Sequence, residues 1–196
     1  MKQMDRMTER LTVRDGTELH CERIGGASDQ WVIAVHGIGE HIGRENELER
    51  FLANRANLFR YDLRGHGKSE GRRGYIDTFA RYYHDLEDIV GHLASAHPNL
   101  RYTLFGHSMG ALIAAGFVQR RTPGVFLPER LFLASPPIGI GGGGGSVVTR
   151  LPRRFFTCLR ALPFSVPLGS AVNRGALSHQ KTVADGLERD PLSLQR

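Results

Sequence analysis

The sequence predicts an α/β fold, a mostly parallel sheet with helices on both faces and an antiparallel pair at its N-terminal end. Three observations carry this. Short apolar runs alternate with segments of helical period, the pattern of strand–helix–strand units joined by right-handed crossovers. WVIAVHG, residues 31–37, is a continuous apolar run closed by glycine, as a strand covered on both faces requires. LTVRDGTELHCER, residues 11–23, alternates around Asp15-Gly16, a dipeptide suited to the positive φ angles of a tight hairpin.

Taken in order, the hairpin comes first and the central strand at 31–37 follows it. ELERFLANRA (47–56) reads as a short helix, NLFRYDL (57–63) as a strand, and RGHGKSEGRRG (64–74) as a Gly- and Arg-rich loop without apolar period. From Thr78 to about Ala96, Phe79, Tyr82, Tyr83, Leu86, Ile89, Val90 and Leu93 recur at spacings of three and four, with Thr78 as the expected N-cap. RYTLFG (101–106) is the next strand, followed by a helix that Pro123-Gly124 stops, and RLFLAS (130–135) is one more strand. Residues 1–136 are thus expected to form the core and residues 137–196 a Gly-rich hinge and partial cap. The cap contains SVVTRLPRRFFTCLRALPF (146–164), which pairs near-helical apolar spacing with arginines. That pattern suits either contact with a membrane surface or a lid packed on the domain.

Composition excludes several classes. The 196 residues include only two cysteines, Cys21 and Cys158, without CxxC or Cys/His spacing, so neither a disulfide framework nor a zinc site is indicated. The charged start MKQMDRMTER lacks the apolar stretch of a signal peptide and no later segment is long enough for a membrane span, so a cytoplasmic protein is expected. The formal charge of +6 comes from arginines scattered over many segments with no nucleic-acid motif beside them, which argues against a nucleic-acid partner. GIGGGG after Pro136-Pro137 formally matches GxGxxG, but it follows no strand directly and no acidic residue stands at the required distance. It reads as a hinge.

The chemistry concentrates in two loops. Gly106-His107-Ser108-Met109-Gly110 lies between an apolar strand and an apolar helix. Small residues two before and two after a serine let a strand turn sharply into a helix and leave the hydroxyl exposed as a nucleophile. The plainer alternative is an ordinary serine N-cap. The Met109 amide would point from the helix N-terminus, where partial positive charge favours an oxyanion. A second oxyanion donor is expected from AVHGIGEHIGR (34–44), with the amide of Ile38 as candidate. His36, at the end of a buried strand, reads as a structural imidazole holding that loop, while Glu40, His41 and Arg44 border the pocket or are solvated loop charges.

HGIGEH, YDLRGHGKSEGRRGY, FGHSMGA, ASPP and LSHQKTVADGLERDPL, in this order, resemble the successive signatures of the monoacylglycerol lipase and lysophospholipase branch of the α/β-hydrolases, the serine aminopeptidase S33 type domain. The resemblance covers roughly residues 8–193. It implies the three-layer α/β-hydrolase sandwich with strand order 1-2-4-3-5-6, Ser108 as nucleophile, Ile38 and Met109 as oxyanion-hole amides, and Glu40 and Arg44 lining a polar site for a leaving alcohol such as glycerol. It also implies that the family's last strands, with the triad Asp and His, lie outside this chain, because His179, Asp185 and Asp190 match cap positions. The expected activity is hydrolysis of acylglycerol or lysophospholipid esters through an acyl-serine, without metal or organic cofactor, by a longer protein of which this chain is an N-terminal fragment, inactive alone. Rival readings are a pocket-bearing binding protein that has lost its base, and another reaction on the same fold, such as that of a thioesterase, peptidase or acyltransferase.

Overall fold

The computed structural model describes residues 5–25, 28–44, 46–52, 55–137 and 190–193. The glycine run at 141–145, the apolar segment 146–164, His179, Asp185 and Cys158 fall outside the described residues, and with them the expected division at residue 137.

Six strands form one sheet: β1 (Asp5–Thr12), β2 (Glu18–Gly25), β3 (Gln30–Val35), β4 (Asn57–Tyr61), β5 (Arg101–His107) and β6 (Arg130–Ala134). Their spatial order is β1-β2-β4-β3-β5-β6, the order expected. The β1–β2 hairpin and the β2–β4 pairing are antiparallel, and every other pairing is parallel. Gly16, at φ 86°, makes the hairpin turn. Three helices complete the fold: α1 (Asn46–Leu52), α2 (Ala80–Ala96) and α3 (Met109–Arg120).

Strand alternation divides the apolar residues between two layers. On one face Trp31, Ile33 and Val35 of β3 join Phe59 and Tyr61 of β4 and Leu104 of β5 beneath α2 and α3, which contribute Leu86, Ile89, Val90, Ile113 and Phe117. On the other face Ile24, Val32, Ala34 and Leu58 meet Leu48 and Leu52 of α1. This is the helix–sheet–helix sandwich. Arg60 interrupts the apolar β4 without unsatisfied charge, since its guanidinium pairs with Glu22 on β2 at 2.6 Å and Glu49 on α1 at 3.3 Å. Burying an arginine is tolerable only with such partners.

The start of α2 differs from expectation. Thr78 is not the N-cap: Phe79 occupies that position with helical dihedrals and no side-chain cap. One residue earlier, Asp77 Oδ1 accepts from the Thr78 amide at 2.8 Å and from Arg81 Nε at 2.6 Å. Thr78 still serves the helix start from one residue further out, its Oγ1 accepting from Ala80 N at 3.4 Å and its carbonyl from Arg81 N at 3.1 Å. At the other sheet margin, β6 pairs with β5 and leaves Leu131, Phe132 and Leu133 exposed.

Candidate active site

Chain order and spatial order part company at β3. The connection through α1 carries the chain from β3 to β4 on one side, and the connection through α2 brings it back past β3 to β5 on the other. Open α/β sheets bind ligands outside the carboxyl ends of two such strands. The loops leaving the C-terminal ends of β3 and β5 are the two that carry the expected site residues.

Ser108 stands between β5 and α3 at φ 52° and ψ −118°, and its side chain makes no capping hydrogen bond. A capping serine would have extended dihedrals and bond an amide of the first turn, so the N-cap alternative does not describe this residue. The conformation is strained for a side chain bearing a Cβ, at about 1–3 kcal/mol, and persists because the surroundings determine it. The Ser108 amide donates to Ala134 O at 2.9 Å and its carbonyl accepts from Ala111 N at 2.9 Å. Gly106 and Gly110 permit the turn: a Cβ at Gly106 would stand 2.7 Å from Ala111 Cα, and one at Gly110 would stand 2.6 Å from His36 O.

The loop after β3 packs on this elbow. A Cβ at Gly37 would lie 3.1 Å from Ser108 Cβ. Gly37 to Glu40 form a turn closed by Glu40 N to Gly37 O at 3.3 Å, with Gly39 at φ 76° in the third position, the place where a type II turn demands positive φ. Ile38 occupies the outer corner of that turn with its side chain to solvent. Met109 opens α3 and packs partly on the core.

His36 is fully buried below the loop. Its Nδ1 donates to Gly37 O at 2.8 Å and its Nε2 accepts from Leu63 N at 2.9 Å, which fixes the neutral tautomer. Burial, then the neighbouring His66, lowers its pKa, so the residue is a brace between β3 and β4. Asp62 braces the same region from below, accepting from Ile42 N at 2.8 Å and Lys68 N at 2.7 Å.

Glu40 turns toward the elbow. Its Oε2 accepts from Gly37 N at 2.7 Å and lies 3.1 Å from His107 Nδ1. Burial raises the carboxyl pKa, but the hydrogen bond and charge of His107 with the Gly37 amide outweigh it and hold the group below its ordinary value. Arg44 ends a 3₁₀ turn, Ile42–Arg44, and its Nη1 lies 3.4 Å from Asp190 Oδ2. The same carboxylate oxygen receives His41 Nε2 at 2.6 Å. His41 Nδ1 accepts from Gly43 N, so Nε2 carries the proton. Burial opposes the charge of Asp190, yet His41, the Leu192 amide and Arg44 bring its pKa down to about 2. Arg73, from the Arg-rich loop, donates to Leu192 O at 2.8 Å.

Ser108, Ile38, Met109 and Glu40 are therefore gathered at the ends of β3 and β5, while Arg44 faces residues 190–193. Sequence reasoning missed two partners: His107, which meets Glu40, and Asp190, which meets His41 and Arg44. Separations of 67 and 149 positions carry no local signal of either pairing.

Comparison with known proteins agrees with this geometry. Human monoglyceride lipase is 33% identical over 185 residues, covering 93% of this chain and 59% of that protein. The rat monoglyceride lipase is 31% identical over 188 residues, with the same coverage. This chain thus spans 59% of the length of either relative. Among solved structures, a monoacylglycerol lipase of Paleococcus ferrophilus superposes with a TM-score of 0.69 at 23% identity, covering 98% of this chain and 64% of the other, a likeness of fold. A Pyrococcus furiosus esterase superposes with a TM-score of 0.60 at 28% identity, covering 79% and 62%. The family model described as serine aminopeptidase, S33, matches residues 26–196. The elbow at Ser108, the sheet order and this match together place the chain in the serine aminopeptidase S33 family of α/β-hydrolases.

Proposed function

We propose that the protein is a serine ester hydrolase acting on acylglycerols through an acyl-serine intermediate. The observation that carries this reading is the backbone of Ser108, at φ 52° and ψ −118° with a hydroxyl not engaged in capping α3. A serine held in a strained turn above a helix N-terminus is organised for attack.

Ser108 Oγ adds to the ester carbonyl and gives its proton to a general base, which the family pattern puts C-terminal to residue 196. Developing negative charge on the carbonyl oxygen is met by the amides of Ile38 and Met109, the latter reinforced by the N-terminal end of α3. The leaving alcohol departs protonated, and water then hydrolyses the acyl-serine. The acylglycerol class is supported by the 33% and 31% identical relatives, both named monoglyceride lipase. Arg44 and Glu40 are the polar groups offered to a glycerol moiety. Contact with a lipid surface belongs to the segment 146–164 on this reading. Among the described residues no helix is long and apolar enough to cross a membrane.

The test uses the full-length protein with a long-chain monoacylglycerol, and mass spectrometry of the acid-quenched reaction. Turnover with an acyl group trapped on the peptide containing Ser108, both lost in Ser108→Ala, is expected. Undiminished turnover in Ser108→Ala would overturn the reading.

A further inference from the structure

The family pattern gives Glu40 to the leaving alcohol, but its position in the fold suits a second task. One oxygen, Oε2, receives the Gly37 amide at 2.7 Å and His107 Nδ1 at 3.1 Å. Gly37 immediately precedes Ile38, and His107 immediately precedes Ser108 and stands two before Met109. The carboxylate therefore spans the two loops from which the oxyanion donors project, on the residues just upstream of each. We propose that Glu40 is a positioning residue that cross-links these loops and sets the separation of the Ile38 and Met109 amides. This rests on the reading of Ser108 as nucleophile.

Three further observations support it. Among the described residues the β3–β5 ladder ends at the pair Val35–Gly106, just before these loops. Gly37 has no side chain to wedge them apart, and a Cβ there would stand 3.0 Å from Glu40 Oε2 and 3.1 Å from Ser108 Cβ. The bridge is charge-assisted, since the Glu40 carboxyl is held below its ordinary value by His107, the Gly37 amide and His36 against the effect of burial. Hydrogen bonds to an ionised acceptor are shorter and stronger than neutral ones. An oxyanion hole works through donors fixed in advance, and a misplacement of about 1 Å costs on the order of 10²-fold in rate.

A glycerol contact and a loop cross-link respond to different substrates. The experiment compares a monoacylglycerol with p-nitrophenyl butyrate, which has no glycerol, on the full-length protein and its Glu40→Ala and Glu40→Gln variants. As a positioning residue, Glu40 lost to alanine lowers kcat for both esters by one common factor, roughly 10- to 100-fold, with KM within about twofold. Glutamine keeps an acceptor oxygen for the Gly37 amide and restores most of kcat. A loss confined to the monoacylglycerol and expressed in KM would overturn the proposal. The second readout needs no turnover: imidazole NMR titration of His107. The titratable groups around Glu40 are His107 at the end of β5, His36 at the end of β3 and His66 from the 64–74 loop. With the carboxylate removed in Glu40→Gln, His107 is expected to titrate at lower pH than in the wild type, and an unchanged His107 titration would also overturn the proposal. Failure of the parent reading looks different, as equal turnover of both esters by Ser108→Ala.

Discussion

Replacing Gly110 by alanine tests the packing that creates the elbow. Gly110 lies in the first turn of α3, directly against the end of β3, and a Cβ there would stand 2.6 Å from His36 O and closer still to Val35 O. Ordinary contact begins at 3.4 Å, so α3 must retreat by at least 0.8 Å along that direction. The obstructing atoms are backbone carbonyls, and Val35 is held in register by Tyr61 on one side and Gly106 on the other. They cannot rotate away as a side chain would. Overpacking costs about 1–3 kcal/mol, and an immovable neighbour puts this substitution at the upper end. With a urea slope of roughly 2 kcal/mol/M, a loss of about 3 kcal/mol lowers the unfolding midpoint by about 1.5 M. Gly91→Ala is the internal control. Its Cβ would meet nothing within 4 Å on the surface of α2, and alanine is better than glycine in a helix by about 0.8–1.0 kcal/mol, so the midpoint should rise. Equilibrium urea unfolding followed by circular dichroism reads both. If Gly110→Ala shifted the midpoint by less than about 0.3 M, or in the same direction as Gly91→Ala, the account of the close approach would be wrong.

Two other outcomes follow from the site. Ser108→Gly should abolish ester turnover yet raise stability by about 1 kcal/mol, because glycine relieves the strain of φ 52°; a destabilised variant in urea unfolding would refute the claim of strain. His36 and His66 are buried with pKa values lowered chiefly by burial. The unfolded chain then binds more protons than the folded one once pH drops below about 6.5, so stability is fully present above that value and declines as pH falls through the folded pKa values. Urea midpoints should therefore fall between about pH 7.5 and about pH 5, less steeply in His66→Gln, and a midpoint constant over that window would refute the assignment.

The expectations that held were those resting on local periodicity and local turn chemistry. The apolar run 31–37 could only be a strand covered on both faces, and Ile33, Ala34 and Val35 are fully buried beneath α2–α3 on one side and α1 on the other. Gly106, Ser108 and Gly110 announced the elbow because spacing alone dictates which residues must lack a Cβ where a strand meets a helix. The strand order rested on resemblance, since strand runs do not state which neighbours they pair with. What the tertiary structure alone decided are contacts between distant segments. Arg60 looked out of place in an apolar strand until Glu22 and Glu49 converged on it. Glu40 and His107, or His41 and Asp190, are ordinary loop residues in the sequence. Charge pairing depends on distance in space, and the chain had to fold before one carboxylate oxygen could meet the end of β3 and the end of β5 together.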